Sequence, residues 1–361
     1  MPKYSDIDGD NLNELAESSA PASYADLISA MDAVSTQPLW DRYGRVTRRS
    51  PCAPDQPMLW SWKDMSPLIE RSVNEVSMQD AERRVILLTH PAFKDSFATT
   101  TNLSAGLQTL LPGEVARAHR HTLQAIRFVM QGGGALTSVN TQACEMQEGD
   151  LVLTPAWTWH EHIHPGTDRV VWFDGLDLPL CRDIDTMFFE LDEPSGRARN
   201  QFDPLPTSAP SFRPDAVHLK PDIFEGHGTS PNRFRYARER AWPALMGSIA
   251  KADGSRLLRY VSDDKLGAVL PTLDCYLQAL GKNQPTQRHR STSNAICVVA
   301  QGQGSSQVGE KKIAWQRNDV FTLPHWNWVS HTAASDDAVM FMMTDRELLA
   351  SLGYLKDEVA L

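Results

Sequence analysis

Three histidines set the chemistry this chain could do. His119 and His121 head the run AHRHTLQAIRFVMQGGG. On a β-strand, side chains at i and i+2 share a face, so both imidazoles point the same way. His160 follows the Gly149-Asp150 turn and the run LVLTPAWTW, which reads as a further strand. Three imidazoles on one face make half of an octahedral metal shell and leave the other half open to a ligand. The plain alternative is three satisfied core histidines. Arg127 lies six residues beyond His121, at the parity of the same inward face, within the apolar run AIRFVM. A cation there is costly unless it is paired. It reads either as a fork for a carboxylate ligand or as a buried salt bridge, for instance to Asp174.

The elements that must position these residues read as short strands. The runs Val85 to Thr89, Asn102 to Leu111, the histidine strand to Met130, ALTSV, LVLTP and RVVWFDGL are separated by Gly, Pro and Asp turns. Little helix intervenes, which predicts an all-β sandwich or barrel. Helical spacing covers Ser23 to Met31, and Ser66-Pro67 reads as an N-cap and first helical residue of a helix reaching about Val76. The stretch 36–62 is rich in Pro and Trp and reads as a covering arm. Residues 1–20 read as a solvated leader. Its DIDGD run has its glycine too early for a calcium loop and lacks the closing glutamate.

The last third repeats the first. RHRSTSNAICVVAQGQG lies over AHRHTLQAIRFVMQGGG at an offset of 170, and NDVFTLPHWNWVSH lies over GDLVLTPAWTWHEH at an offset of 169. Such a repeat predicts two similar β-domains. The second copy keeps glycines, prolines and tryptophans, but Ser291, Val329 and Cys297 stand where the first has His121, His160 and Arg127. The scaffold does without these three, so their presence in the first copy is better explained by chemistry. Trp157 and Trp159 recur as Trp326 and Trp328 and read as packing residues. The expected organisation is an arm over 1–80, a metal-bearing domain over 81–190, a Pro-rich connection over 191–245 and a second domain over 246–361 without a complete metal site.

With 361 residues, 41% apolar, there is material for a substantial core. A net charge of −10 without a basic tract argues against nucleic acid. No run of 18 apolar residues suggests a membrane span, and the N-terminus lacks an apolar signal region. Five scattered cysteines, never CxxC, fit a reducing cytoplasm.

At these residues the sequence resembles the cupin superfamily. Gly113, His119, His121 and Gly132 or Gly133 fit its first motif, and Gly149, Pro155 and His160 fit its second. The first motif's glutamate is missing, with Ala125 and Ile126 in its two possible places, which leaves a three-histidine site. Trp157 replaces the second motif's inner glycine and His164 its asparagine. The phrases AHRHTLQAIRFVMQG, GDLVLTPAWTWHEH and WFDGLD resemble gentisate 1,2-dioxygenases, with salicylate and 1-hydroxy-2-naphthoate dioxygenases in the wider group. The resemblance runs from about Pro38 to the C-terminus and is strongest from Asn102 to Leu178.

It implies a bicupin of two jelly-roll barrels with a few peripheral helices. It also implies one Fe(II) per chain in the first barrel, O2 as co-substrate, an aromatic hydroxy acid as substrate and a homotetramer. Gentisate would open between its carboxyl- and hydroxyl-bearing carbons to maleylpyruvate. Histidine sites also take Mn, Ni, Cu or Zn, so affinity order alone does not select iron. The resemblance further implies substrate contacts from Arg83, Arg127 and Gln108, and room for the ring beside Gly106. Without it, Arg83 is a surface charge, Gln108 a structural amide and Gly106 a bend. His162 would face the pocket, although its recurrence as His331 also fits a structural role. Asp174 would position His162 or Arg127, or merely form a turn. Some relatives carry a bulky aromatic where this chain has Ser104, so the pocket is expected to be wider here. Val85 lies where pocket shape varies. Competing readings are a salicylate or 1-hydroxy-2-naphthoate dioxygenase, a metal-dependent isomerase, and a non-enzymatic storage or ligand-binding bicupin.

Overall fold

The computed structural model describes residues 22–140, 142–192, 219–221, 234–262 and 267–360. The expected leader and most of the Pro-rich connection lie outside them. The chain divides into two units, Met1–Cys52 and Ala53–Leu361. In the first, the helix Ala22–Ala33 covers the stretch with helical spacing, and the Tyr24 hydroxyl donates to Asp41.

The second unit holds two barrels, each of two antiparallel sheets. In the first barrel, one sheet runs in the order Arg235–Tyr236, Leu151–Thr154, Ala125–Gln131, Val170–Leu176, Ser104–Leu110, Arg84–Leu87. The facing sheet runs Phe189–Leu191, Val115–His121, His160–Ile163, Gly133–Val139, Gln142–Gln147. The second barrel repeats this with sheets of seven and five strands. The duplication is exact at the site: His119 pairs with His160 in one barrel, and His289 with Val329 in the other.

Alternation along the strands sorts the core. In Ala125–Gln131, Arg127 and Val129 face into the barrel, while Ile126, Phe128 and Met130 face outward. The outward set packs against its counterparts in the second barrel, with Phe128 stacked on Phe341 at 4.3 Å and 10°. Such a pair contributes about 0.5–1.5 kcal/mol beyond its buried area. Both faces of this sheet are therefore dry, which is why its strands read as continuous apolar runs.

The barrels also exchange elements. Leu59–Trp60 joins the second barrel, pairing with Phe321 and Val320, while Arg235–Tyr236 joins the first, pairing with Val152 and Leu151. Each donated strand leads into a helix, Trp62–Glu75 or Arg238–Gly247. Asp319 accepts the Trp62 N–H at 2.7 Å, and Asp150 accepts the Arg238 N–H at 2.8 Å. An anion at a helix N-terminus satisfies an orphan donor and complements the helix dipole. Parts of the expected arm and connection are thus strands of the opposite barrel.

One local reading changes. The helix expected from Ser66-Pro67 starts five residues earlier, at Trp62, and runs through Pro67. Ser61 Oγ accepts the Asp64 N–H at 3.2 Å, so this N-cap outcompetes the Ser-Pro signal. The helix Arg238–Gly247 likewise continues through a proline, Pro243, with Ala241 and Leu245 buried. Packing of the apolar face there outweighs the lost hydrogen bond.

No helix among the described residues is long and apolar enough to cross a membrane. All five cysteines are free thiols.

Candidate metal centre and substrate pocket

The strand Val115–His121 turns its ligands inward through a bulge. Its register with His160–Ile163 shifts between Ala116 and His119, so Ala116 pairs with His162 and His119 with His160. His119, His121 and His160 are all buried, and their candidate ligand atoms lie within 4.8 Å of one another. Among the described residues this is the one cluster of His, Cys, Asp or Glu able to hold a metal ion.

Ring orientation suits that task. The Nδ1 atoms of His121 and His160 lie 3.0 Å from the Leu123 and Thr158 carbonyls, to which they donate. Backbone bonds of this kind fix the tautomer and present Nε2 as the lone-pair donor. His160 Nε2 is buried without a hydrogen-bond partner. All three imidazoles are held neutral. Burial, then the nearby Arg83, lowers the His119 pKa. Burial, then Arg127, lowers His121 to about 4. Burial, then His119, lowers His160. The donor set therefore fits a divalent metal of the imidazole-binding type.

Arg127, Asp174 and Gly106 form one row across the inner face. Arg127 Nη1 donates to Thr154 Oγ1 at 2.5 Å, and its Nε lies 3.3 Å from Asp174 Oδ1 without forming a hydrogen bond. Asp174 also accepts from Trp172 Nε1 at 3.0 Å. Of the two roles open to Asp174, the structure gives it Arg127. His162 is held instead by Thr137, whose Oγ1 lies 2.9 Å from its Nδ1, and its Nε2 is buried and unpartnered. His331 has the same hydroxyl neighbour in Ser306 at 2.7 Å, which accounts for a histidine in both copies.

Gln108 sits one inward step along, opposite Trp172 and Val85, with Nε2 unpartnered. A Cβ on Gly106 would come within 2.6 Å of Val85 Cγ1 and 3.3 Å of the Ile86 carbonyl, so the strand Arg84–Leu87 closes over a position that only glycine leaves open. The second barrel places Tyr276 at that register, opposite Met342, and its hydroxyl donates to Asp274 at 2.8 Å. Ser104 is buried, its Oγ 3.5 Å from the Leu176 carbonyl. Arg83 precedes its strand. Its Nη2 donates to the Arg117 carbonyl at 2.6 Å and lies 2.5 Å from His119 Nδ1, and its Nε is buried and unpartnered. Arg84 is spent elsewhere, in a buried pair with Glu114.

Thus five of the six unpartnered buried side-chain nitrogens among the described residues belong to this one barrel: Arg83 Nε, Gln108 Nε2, Arg127 Nε, His160 Nε2 and His162 Nε2. Three of them, Arg83 Nε, Gln108 Nε2 and Arg127 Nε, are unmet N–H donors, which are costly to bury and together mark a binding site for an oxygen-rich ligand.

The sequence reading missed three residues. Thr154, the hydroxyl beside Arg127, ends an apolar strand and carries no signal of its own. Phe189 packs near the ligands, 5.2 Å from the His119 ring and 6.4 Å from that of His121, from a strand that sits beyond the recognised motifs. Asp177 closes the phrase WFDGLD, and its recurrence as Asp345 is the signal that could have found it.

This architecture places the chain among the cupins, and residues 106–176 match the family model for the cupin domain. The chain is 34% identical, over 92% of its length and 95% of the relative's, to gentisate 1,2 dioxygenase 1 of Aquipseudomonas alcaligenes. It is 30% identical, over 94% of its length and 92% of the relative's, to 5-aminosalicylate 1,2-dioxygenase of Comamonas sp. Among solved structures, salicylate 1,2-dioxygenase from Pseudoaminobacter salicylatoxidans, determined as an adduct with gentisate, matches with a TM-score of 0.82 at 25% identity, covering 98% of both chains. The chain belongs to the gentisate and salicylate type of ring-cleaving 1,2-dioxygenases.

Proposed function

We propose that this chain is an Fe(II)-dependent gentisate 1,2-dioxygenase, with His119, His121 and His160 as ligands of one iron per chain. The observation that carries the reading is the cluster of unmet nitrogen donors around three neutral imidazoles in one barrel. The similarity to a gentisate dioxygenase over nearly the whole chain supports the substrate. The net reaction adds both atoms of O2 to gentisate and breaks the bond between its carboxyl- and hydroxyl-bearing carbons, giving maleylpyruvate. Iron held here would carry electrons from the electron-rich ring to O2.

The chain's own residues do the rest. Arg127 offers its guanidinium to the substrate carboxylate, and Asp174 and Thr154 keep it in that pose. Arg83, just before the edge strand Arg84–Leu87, adds a second positive charge. Gln108 and His162 present Nε2 atoms for the ring oxygens. Gly106 lets the strand Arg84–Leu87 pack closely as a pocket wall, the small Ser104 leaves room for the ring, and the buried walls exclude water. The reading includes a cytoplasmic homotetramer, with the free thiols in keeping with the compartment.

O2 uptake by the iron-loaded chain on gentisate, salicylate and 1-hydroxy-2-naphthoate tests the proposal. Gentisate should be turned over fastest. Equal rates on salicylate would overturn the substrate assignment, and no O2 uptake on any of the three would overturn the activity.

A further inference from the structure

The second barrel lacks the ligand set, yet it is bonded to the loops that carry the ligands of the first. Asp177 is buried at the junction. Its Oδ2 accepts the hydroxyl of Thr272, from the second barrel, at 2.6 Å. Its Oδ1 accepts the Gln124 N–H at 2.9 Å. Gln124 Oε1 in turn accepts the Ala156 N–H at 3.0 Å, and the next amide, Trp157 N–H, donates to the His121 carbonyl at 2.6 Å. One carboxylate therefore ties together the loop after His121 and the loop before His160, and takes its own anchor from the other barrel.

The same device recurs around Asp345. Asn102 of the first barrel donates to its Oδ2 at 2.9 Å, and the Asn294 N–H to its Oδ1 at 2.8 Å. The His325 N–H donates to Asn294 Oδ1 at 3.2 Å, and Trp326 N–H to the Ser291 carbonyl at 2.6 Å. There the loops lead to Ser291 and Val329 and hold no ligand set. The duplication thus supplies two anchors of the same build, only one of which supports histidine ligands.

We propose that Asp177, anchored by Thr272, is a positioning residue through which the second barrel sets the spacing of His121 and His160. Groups bonded directly to a ligand typically alter metal affinity 10- to 100-fold when removed, and Asp177 acts further back, through Gln124, so the lower end of that range is expected. The inference rests on the metal reading above.

The test is the affinity of the metal-stripped full chain for Co(II), measured anaerobically by competition with a coloured chelator. Thr272→Val keeps the side-chain shape and removes the donor; it should weaken Co(II) binding about tenfold. Thr272→Ser keeps the hydroxyl and should bind as wild type does. Asn102→Ala breaks the matching bond to Asp345; it should lower the Tm to a similar extent while leaving the Co(II) affinity within about twofold. Unchanged affinity in Thr272→Val, or equal weakening in Asn102→Ala, would overturn the positioning role. Failure of the wild-type chain to bind Co(II) would overturn the metal reading itself, and the inference with it.

Discussion

Arg127 Nε lies 3.3 Å from Asp174 Oδ1 on adjacent strands, and at the same register the second barrel sets Cys297 opposite Met342. The ion pair and its apolar replacement are two fillings of one place in a duplicated scaffold. Replacing a buried ion pair whole is often neutral or stabilising, whereas removing one partner costs about 3–5 kcal/mol. Arg127→Cys alone should therefore lower the unfolding free energy by about that amount, and Arg127→Cys with Asp174→Met should recover much of it. Both variants should lose gentisate turnover by a hundredfold or more, roughly the scale for removal of one preorganised donor. Urea unfolding and O2 uptake read the two effects separately. A double variant less stable than the single one would contradict the interchangeability of the two fillings.

Trp157 has φ +60°, and Trp326 has φ +61°. Left-handed backbone at a bulky residue costs about 1–2 kcal/mol. The indoles offset it by stacking. The Arg120 guanidinium lies 4.3 Å from the Trp157 ring centroid and 5.0 Å from that of Trp159, and Arg290 stands over Trp326 and Trp328 at 4.3 and 4.8 Å. Trp157→Ala would lose the stack and keep the strain, whereas Trp157→Gly would lose the stack and relieve the strain. The glycine variant should be the more stable of the two by about 1 kcal/mol, against the usual order. Thermal unfolding of both decides it, and an alanine variant at least as stable would refute the strain account.

The tryptophans show what the sequence could and could not disclose. Their recurrence marked them as scaffold, and their place in the second motif marked a position where glycine is usual. The arginine that makes a tryptophan tolerable there, Arg120, lies far along the chain and alternates with the ligands, so nothing local marks it. The barrel, the duplication and the inward histidines were legible because strand parity and repeats are local signals. The exchanged strands Leu59–Trp60 and Arg235–Tyr236 were not. Each is two residues long with no alternation to detect, and each is defined by a partner in the other barrel. Asp150 and Asp319 recurred visibly as turn residues, while their helix-capping role depends on chain that arrives from elsewhere.

Burial pushes the Cys144 thiol up to about 12 and raises Cys275 and Cys297 as well. A thiol with a raised pKa stays protonated, and hence unreactive, at every pH below that value. Cys181 is also buried, and Cys52 is exposed. A thiol reagent at pH 8 should modify one equivalent rapidly in the native chain and the other four only after denaturation. A second fast equivalent would mean that a barrel opens more readily than its packing implies.

Metal content provides the last prediction. Only the first barrel assembles three imidazoles among the described residues, while the second has His289, Ser291 and Val329 at the matching places. The full chain should therefore bind one equivalent of divalent metal, not two. Binding to the folded state alone stabilises it by RT ln(1 + [L]/Kd), about 2.7 kcal/mol when free metal is 100 times Kd. Adding Fe(II) anaerobically to stripped protein should raise the Tm by several degrees, and a chelator should reverse the gain. His160→Ala should abolish the metal-dependent rise and the O2 uptake together. Ser291→Ala should leave both intact, because the Ser291 hydroxyl lies in the second barrel beside Ser293, away from the three histidines. Two equivalents in the wild-type chain, or an undiminished rise in His160→Ala, would place the metal outside the three-histidine site.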